Sequence, residues 1–180
     1  LEAVDETKLD DFIETSDYDA DEMLQELKTE IESIKDKNIK KVLNNIFSNE
    51  EILRKFQFWP AAAVVHHEFR SGLLQHVLEM LQIAKSMSKF YPDVNYDVLK
   101  AGIMLHDIGK LYELDGGGIS TSYTKEGTLV GHIVKGVLFL NEYGGQELPE
   151  DTYLHLVHLI LSHHGSLEYG SPVLPSTVEA

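Results

Sequence analysis

The sequence of 180 residues contains no cysteine. Disulfides and thiolate ligands are therefore excluded, and any bound metal must be coordinated by histidine and carboxylate side chains. The sequence also has no apolar run near the roughly 18 residues that a membrane-spanning helix needs, and no secretory signal at its start. We therefore expect a cytoplasmic chain with no membrane partner.

Basic side chains are scarce, because 15 lysines and arginines stand against 30 aspartates and glutamates and give a net charge of −15. The excess is uneven: residues 1–32 contain 13 acidic and 2 basic side chains, and residues 33–180 contain 17 and 13. Repulsion of a phosphate backbone therefore comes mainly from the N-terminal segment. The remainder can accept an anionic substrate, RNA included, if a metal supplies local positive charge.

Apolar residues recur at helical spacing through most of the chain, and this pattern predicts an all-α fold. Residues 1–20 are acidic and have few periodic apolar positions, so they are predicted to be a linker or tail. Asp19 or Asp21 is a candidate N-cap for the first helix. Glycines at 116–118 predict a loop, and residues 121–124 are predicted to be extended. The predicted helices cover about residues 21–34, 39–47, 50–56, 72–89, 98–106, 129–143 and 150–163.

Several of the nine histidines lie on or at the ends of neighbouring predicted helices. Each of four helices can turn an imidazole inward, and metal sites in helical domains are built from such converging side chains. His-Asp and His-His pairs strengthen the metal interpretation, whereas His155 and His158 are interpreted as surface or packing residues. The candidate metal residues are His76, His106, Asp107, His132, His163 and His164.

Four motifs, taken in order, resemble the HD superfamily of metal-dependent phosphohydrolases: Gly72-Leu-Leu-Gln-His76, Leu105-His106-Asp107-Ile-Gly-Lys110, Gly131-His132 and Leu161-Ser-His163-His164-Gly. The resemblance is closest to the HD domain of YhaM-type bacterial 3′-to-5′ exoribonucleases. It implies an HD-domain helical bundle with a metal site between helices. Residues 21–58 would then form N-terminal helices, and residues 59–180 the HD phosphohydrolase domain.

The resemblance also implies roles for individual residues. His76, His106 and Asp107 would hold one metal, and Asp107 would bridge to a second ion held by His132 and His163. His164 would be a ligand, a residue that supports a ligand, or a substrate contact. Asp107 and Lys110 would be catalytic, with Lys110 facing the substrate phosphate. The alternative for Lys110 is a solvent-exposed lysine at a helix C-terminus.

His67 and Arg70 are further candidates for binding substrate phosphate, and their alternative is a polar helix start. Two divalent ions are expected, with Mn²⁺ preferred and Fe, Co or Mg as alternatives. The implied substrate is single-stranded RNA or DNA, or a nucleotide. The possibility of a homo-oligomer is left open.

The chain departs from the family pattern in two places. The family has an oligonucleotide/oligosaccharide-binding fold before the HD domain, but residues 1–58 show no strand alternation. The family pattern also closes with an aspartate after the His-His pair, whereas only Glu168 and Glu179 follow it here. We therefore expect a domain truncated at its C-terminus, in which the first metal lacks one carboxylate and is weakly bound.

Three functions follow as hypotheses. The first is the catalytic HD domain of a 3′-to-5′ exoribonuclease acting on single-stranded RNA. The second is an HD hydrolase of a small nucleotide, such as a cyclic dinucleotide. The third is a non-enzymatic helical module for binding or oligomerisation, with an incomplete metal site.

Overall fold

The predicted all-α fold is confirmed by a computed structural model, which describes residues 13–62, 69–116 and 121–180. Two short antiparallel strands, β1 (Leu114–Asp115) and β2 (Ser122–Tyr123), pair between helices α6 and α7, in agreement with the predicted extended segment. The helices are α1 (Ala20–Ser33), α2 (Lys37–Phe47), α3 (Glu50–Phe58), α4 (Gly72–Met87), α5 (Tyr96–Leu105), α6 (Lys110–Glu113), α7 (Lys125–Val130), α8 (His132–Glu142) and α9 (Glu150–Ser162).

Several helices begin at a polar side chain that accepts hydrogen bonds from the first turn. Asp19 accepts hydrogen bonds from the backbone nitrogens of Asp21 and Glu22. Of the two predicted candidates, Asp19 is therefore the N-cap of α1. Asp36 and Asn49 cap α2 and α3 in the same way. Such caps satisfy backbone donors that have no partner inside the helix.

One hydrophobic core joins the N-terminal helices to the rest of the described chain. Helices α1 and α3 pack against α4, and α5 packs between α4 and α9. Helix α8 packs against α9. Helices α4, α5, α9 and α8 therefore follow one another as packed neighbours. The largest fully buried side chains include Leu27, Phe56, Leu73, Met104, Ile108 and Phe139.

The predicted helix over residues 129–143 is wrong, because two helices occupy that region. Helix α7 ends at Val130, and Gly131 has a φ of 74°, a conformation that favours glycine. Helix α8 begins directly afterwards at His132. The break places this histidine in the first turn of a helix rather than in its middle.

The predicted acidic linker lies outside the described residues as far as residue 12. Beyond that point, Arg70 donates its backbone N–H to Glu14 O (2.9 Å) and accepts from Ser16 N (3.0 Å). The Ser16 hydroxyl donates to Gln75 Oε1 at 2.8 Å. Residues 14–16 therefore pack against the start of α4. In the ranges that the structure describes, no helix is both long and apolar enough to cross a bilayer.

Candidate metal centre

The candidate metal residues come together from the ends and faces of four helices. His76 lies on α4, and His106 with Asp107 directly follows α5. His132 begins α8, and the His163-His164 pair follows the last residue of α9. Within the described residues they form two groups that could hold a metal ion, and these groups are His76, His106 and Asp107, and His132, His163 and His164.

In the first group, the ligand-type atoms lie close together. The Nε2 atoms of His76 and His106 are 3.3 Å apart. Asp107 Oδ2 lies 3.2 Å from His106 Nε2 and 4.0 Å from His76 Nε2. Two nitrogens that are each about 2.1 Å from one ion lie roughly 3 to 3.5 Å apart, so the spacing of the two imidazoles fits a shared ion.

In the second group, the imidazoles of His163 and His164 pack edge to face, and the ring of His132 is tilted against both. The ring centres of His163 and His164 are 4.3 Å apart, and those of His132 and His164 are 5.1 Å apart. Asp107 Oδ1 lies 3.6 Å from His132 Nε2 and 3.5 Å from His163 Nε2. The two oxygens of Asp107 thus face different groups.

The charge state of Asp107 is set by its neighbours. Burial raises the pKa of this carboxyl, but His106, His163 and Lys110 beside it outweigh burial and hold the pKa well below its ordinary value. Burial likewise lowers the pKa of His106, but Asp107 raises it by more. A metal and a proton therefore compete for Nε2 of His106, because only the neutral imidazole binds a metal. Asp107 is ionised and carries the negative charge that faces both groups.

Lys110 donates from Nζ to Asp107 Oδ2 at 2.7 Å, and its side chain is only 16% exposed. It is the first residue of α6. The alternative interpretation, a solvent-exposed lysine at a helix C-terminus, is therefore wrong. Its predicted contact with substrate phosphate stays a prediction.

The Nδ1 atoms of four candidate ligands are already bound within the protein. His106, His163 and His164 donate Nδ1–H to the carbonyl oxygens of Ile103, Ile160 and Tyr169, at 2.8, 2.8 and 2.6 Å respectively. The Nδ1–H of His132 is directed at a Glu113 oxygen at 2.9 Å. A carbonyl or ionised carboxylate can only accept, so in the neutral form of each ring Nε2 carries the lone pair that a metal needs.

Two of these Nε2 atoms, in His132 and His163, are buried and have no hydrogen-bond partner within the described residues. The same holds for Asp107 Oδ1, which faces both. An unsatisfied buried polar atom costs about 1 to 3 kcal/mol, and three acceptors that face one another also repel. A cation among them removes both penalties, so the residues present fit a divalent metal.

Burial and His163 lower the pKa of His164, which favours its neutral, ligand form.

Glu113 is a site residue that the sequence analysis missed. Burial raises the pKa of its carboxyl, but the hydrogen bonds from His132 outweigh burial and lower it, so Glu113 is ionised. A carboxylate partner could have been expected from the sequence, because a histidine ligand commonly donates its second N–H to a carboxylate. The sequence did not show which acid folds against which histidine.

The remaining predicted residues have other placements. His67 lies outside the described residues. The Arg70 guanidinium stacks 4.7 Å from the centre of the Phe58 ring. The role of His67 and Arg70 in binding substrate phosphate stays a prediction. Glu168 is exposed, and the Glu179 carboxylate lies 2.9 Å from His155 Nε2, so neither belongs to the two metal groups.

His155 and His158 both contact the C-terminal segment. His155 meets Glu179, and His158 Nε2 accepts from Ser176 N at 2.9 Å. These contacts agree with the interpretation of both histidines as packing residues.

The fold and the two His/Asp groups define the class of the protein. The HD domain family matches residues 73–180, and the chain belongs to that family. It is similar to the 3′-5′ exoribonuclease YhaM of Bacillus subtilis (strain 168), with 42% identity over 173 residues that cover 96% of this chain and 54% of the relative. The protein of the same name from Bacillus licheniformis is 41% identical over 174 residues, with the same coverage.

The predicted resemblance to HD proteins of the YhaM type is thereby confirmed. The chain spans about half the length of the curated relatives it matches. No solved structure gives a significant match.

Proposed function

We propose that this chain contains the hydrolytic part of a metal-dependent 3′-to-5′ exoribonuclease that acts on single-stranded RNA. One structural observation carries the proposal. The two oxygens of a single buried carboxylate, Asp107, face two separate histidine groups, with Oδ2 3.2 Å from His106 Nε2 and Oδ1 3.5 Å from His163 Nε2. The similarity to curated 3′-5′ exoribonucleases supports RNA as the substrate.

In this proposal, His76, His106 and Asp107 would hold one ion, and His132, His163 and His164 with the other oxygen of Asp107 would hold a second. Bound divalent ions supply Lewis-acid chemistry, in which a phosphoryl oxygen is polarised and the pKa of water is lowered. A donor set of five imidazoles with one carboxylate suits Mn, Fe or Co better than Mg, which prefers oxygen ligands. We propose Mn²⁺ as the working ion.

The protein groups around the ions have separate tasks. Asp107 fixes the distance between the two groups because it borders both. Lys110 neutralises Asp107 Oδ2 on the side of its ammonium, and its positive charge suits a nearby phosphate. The carbonyl acceptors of Ile103 and Ile160 keep two imidazoles in fixed orientations.

The test is an assay with 5′-labelled single-stranded RNA in the presence of Mn²⁺. Stepwise shortening from the 3′ end is expected, and Asp107→Asn should abolish it. Asp151→Asn is the matched control, because Asp151 is exposed in the first turn of α9, roughly 18 Å along that helix from His163. The same preparation is incubated with single-stranded DNA and with a cyclic dinucleotide.

The alternatives correspond to other outcomes of that assay. Hydrolysis of the cyclic dinucleotide without any shortening of RNA would refute the exoribonuclease and support a small-nucleotide hydrolase. Absence of Mn²⁺-dependent hydrolysis with every substrate would also refute it, and would support a helical module with an incomplete metal site.

A further inference from the structure

Glu113 contacts His132 at two points. Its Oε1 accepts from the backbone N–H of His132 at 3.0 Å and from the Nδ1–H of the same residue at 2.9 Å. Its Oε2 is also 2.9 Å from Nδ1. The side chain of Glu113 is only 11% exposed. One buried carboxylate therefore binds both the main chain and the ring of a single candidate ligand.

The local chain at His132 explains why a remote side chain is needed there. In His106 and His163, Nδ1–H donates to the carbonyl of the residue three positions earlier, which is Ile103 or Ile160. The residue three positions before His132 lies on α7, beyond the break at Gly131. This histidine therefore does not follow the pattern of the other two.

The start of α8 also requires a hydrogen-bond acceptor from outside the helix. The first backbone N–H groups of a helix have no partner within it, and Gly131, the N-cap of α8, has no side chain to supply one. Glu113 accepts from the first of these N–H groups. Its negative charge is also favourable at a helix N-terminus.

We propose that Glu113 is a positioning residue that fixes the ring of His132 in the Nδ1–H form and thereby makes Nε2 its ligand atom. This inference depends on the metal site of the proposed function, although not on the identity of the substrate. It assigns Glu113 to only one of the two ions, the one held by His132, His163 and His164. A role limited to capping α8 would not select a nitrogen of the ring.

The first test is the tautomer of His132 in metal-free protein, read from the nitrogen-15 shifts of its ring. The spectrum is recorded at about pH 8.5, above the usual range of imidazole titration. We expect an unprotonated Nε2 in the wild type. In Glu113→Gln, the amide NH₂ can donate to Nδ1 and so favour a proton on Nε2, which should change the ring shifts.

The second test is titration of metal-free protein with Mn²⁺ by calorimetry. Glu113→Gln should weaken one of the two binding steps roughly 10- to 100-fold and leave the other unchanged. Glu126→Gln is the matched control, because that carboxylate lies nearby on α7 and pairs with Lys135 rather than with a candidate ligand. The control should bind both ions as the wild type does.

A wild-type His132 with a protonated Nε2 would overturn the inference, and this measurement does not depend on any variant folding. Ring shifts and Mn²⁺ affinities of Glu113→Gln that match those of Glu126→Gln would overturn it as well. Failure of the proposed function would be seen separately, as a wild type that binds Mn²⁺ and has the expected tautomer but does not shorten RNA.

Discussion

The substitution Gly109→Ala should displace the start of α8 and separate His132 from Asp107. Gly109 has a φ of −63° and a ψ of −19°, so alanine can adopt its backbone conformation. A Cβ at this position, however, would lie 2.0 Å from the carbonyl oxygen of His132 and 2.9 Å from Gly136 N. Both neighbours are backbone atoms of α8, so relief requires movement of the helix.

The size of the displacement follows from the contact. A Cβ atom essentially never lies within 3.0 Å of a non-bonded heavy atom, so the start of α8 must move away from residue 109 by at least 1 Å. Misplacement of about 1 Å in a catalytic site can reduce the rate about 100-fold. Overpacking of this kind also typically lowers the free energy of unfolding by about 1 to 3 kcal/mol.

The assay combines single-turnover hydrolysis of labelled RNA, Mn²⁺ titration and urea unfolding. Gly102→Ala is the control, because its Cβ would approach Leu159 Cδ1 at 2.5 Å, the end of a side chain that can rotate. We expect the control to retain its rate of hydrolysis, whatever its stability. A Gly109→Ala protein with wild-type Mn²⁺ affinity and rate would refute the reasoning.

Three further predictions concern the carboxylate, the metal and the tail. Asp107→Asn should weaken both Mn²⁺ binding steps, because each oxygen of the carboxylate faces a different group; calorimetry that shows one step unchanged would contradict this. Addition of Mn²⁺ at 100 times its dissociation constant to chelator-treated protein should stabilise it by about 2.7 kcal/mol per site, which urea unfolding can measure; an unchanged midpoint would count against a site formed in the folded state. His155→Ala should lower the free energy of unfolding by about 1 kcal/mol or less, because Glu179 loses an imidazole 2.9 Å away but keeps the Asn95 N–H, and leave the rate of RNA hydrolysis unchanged. A lost rate with normal Mn²⁺ binding would give the C-terminal segment a part in catalysis.

The helical architecture could be predicted from the sequence because burial depends on periodic apolar side chains. Leu74, Val77, Leu78 and Leu81 recur at the spacing of one helix face, and all four are buried in the core. The convergence of histidines was predictable for a related reason. A polar side chain beside such a stripe can face the interior, and a buried imidazole without a partner is unfavourable.

The break at Gly131 was harder to predict. Apolar residues continue through Leu129, Val130 and Ile133, so the pattern reads as one helix. Only the φ of 74° at Gly131 ends α7, and a single glycine within an apolar run does not specify its own dihedral angle. The partners of the ring Nδ1 atoms were equally hidden, because three of them are main-chain carbonyls that every residue possesses.

The position of Asp107 between the two groups leads to a final prediction, which is that the two Mn²⁺ binding steps can be weakened independently. Among the described residues, His76 lies beside His106 and Asp107 Oδ2, whereas Glu113 accepts hydrogen bonds from His132 of the other group. Since the two residues support different groups, His76→Gln and Glu113→Gln should each weaken a different Mn²⁺ binding step. The double variant should show both losses at the sizes measured singly, as distant and independent sites do. If both substitutions weaken the same step, the assignment of Glu113 to the ion of His132, His163 and His164 is wrong, and the two groups act as one site joined through Asp107.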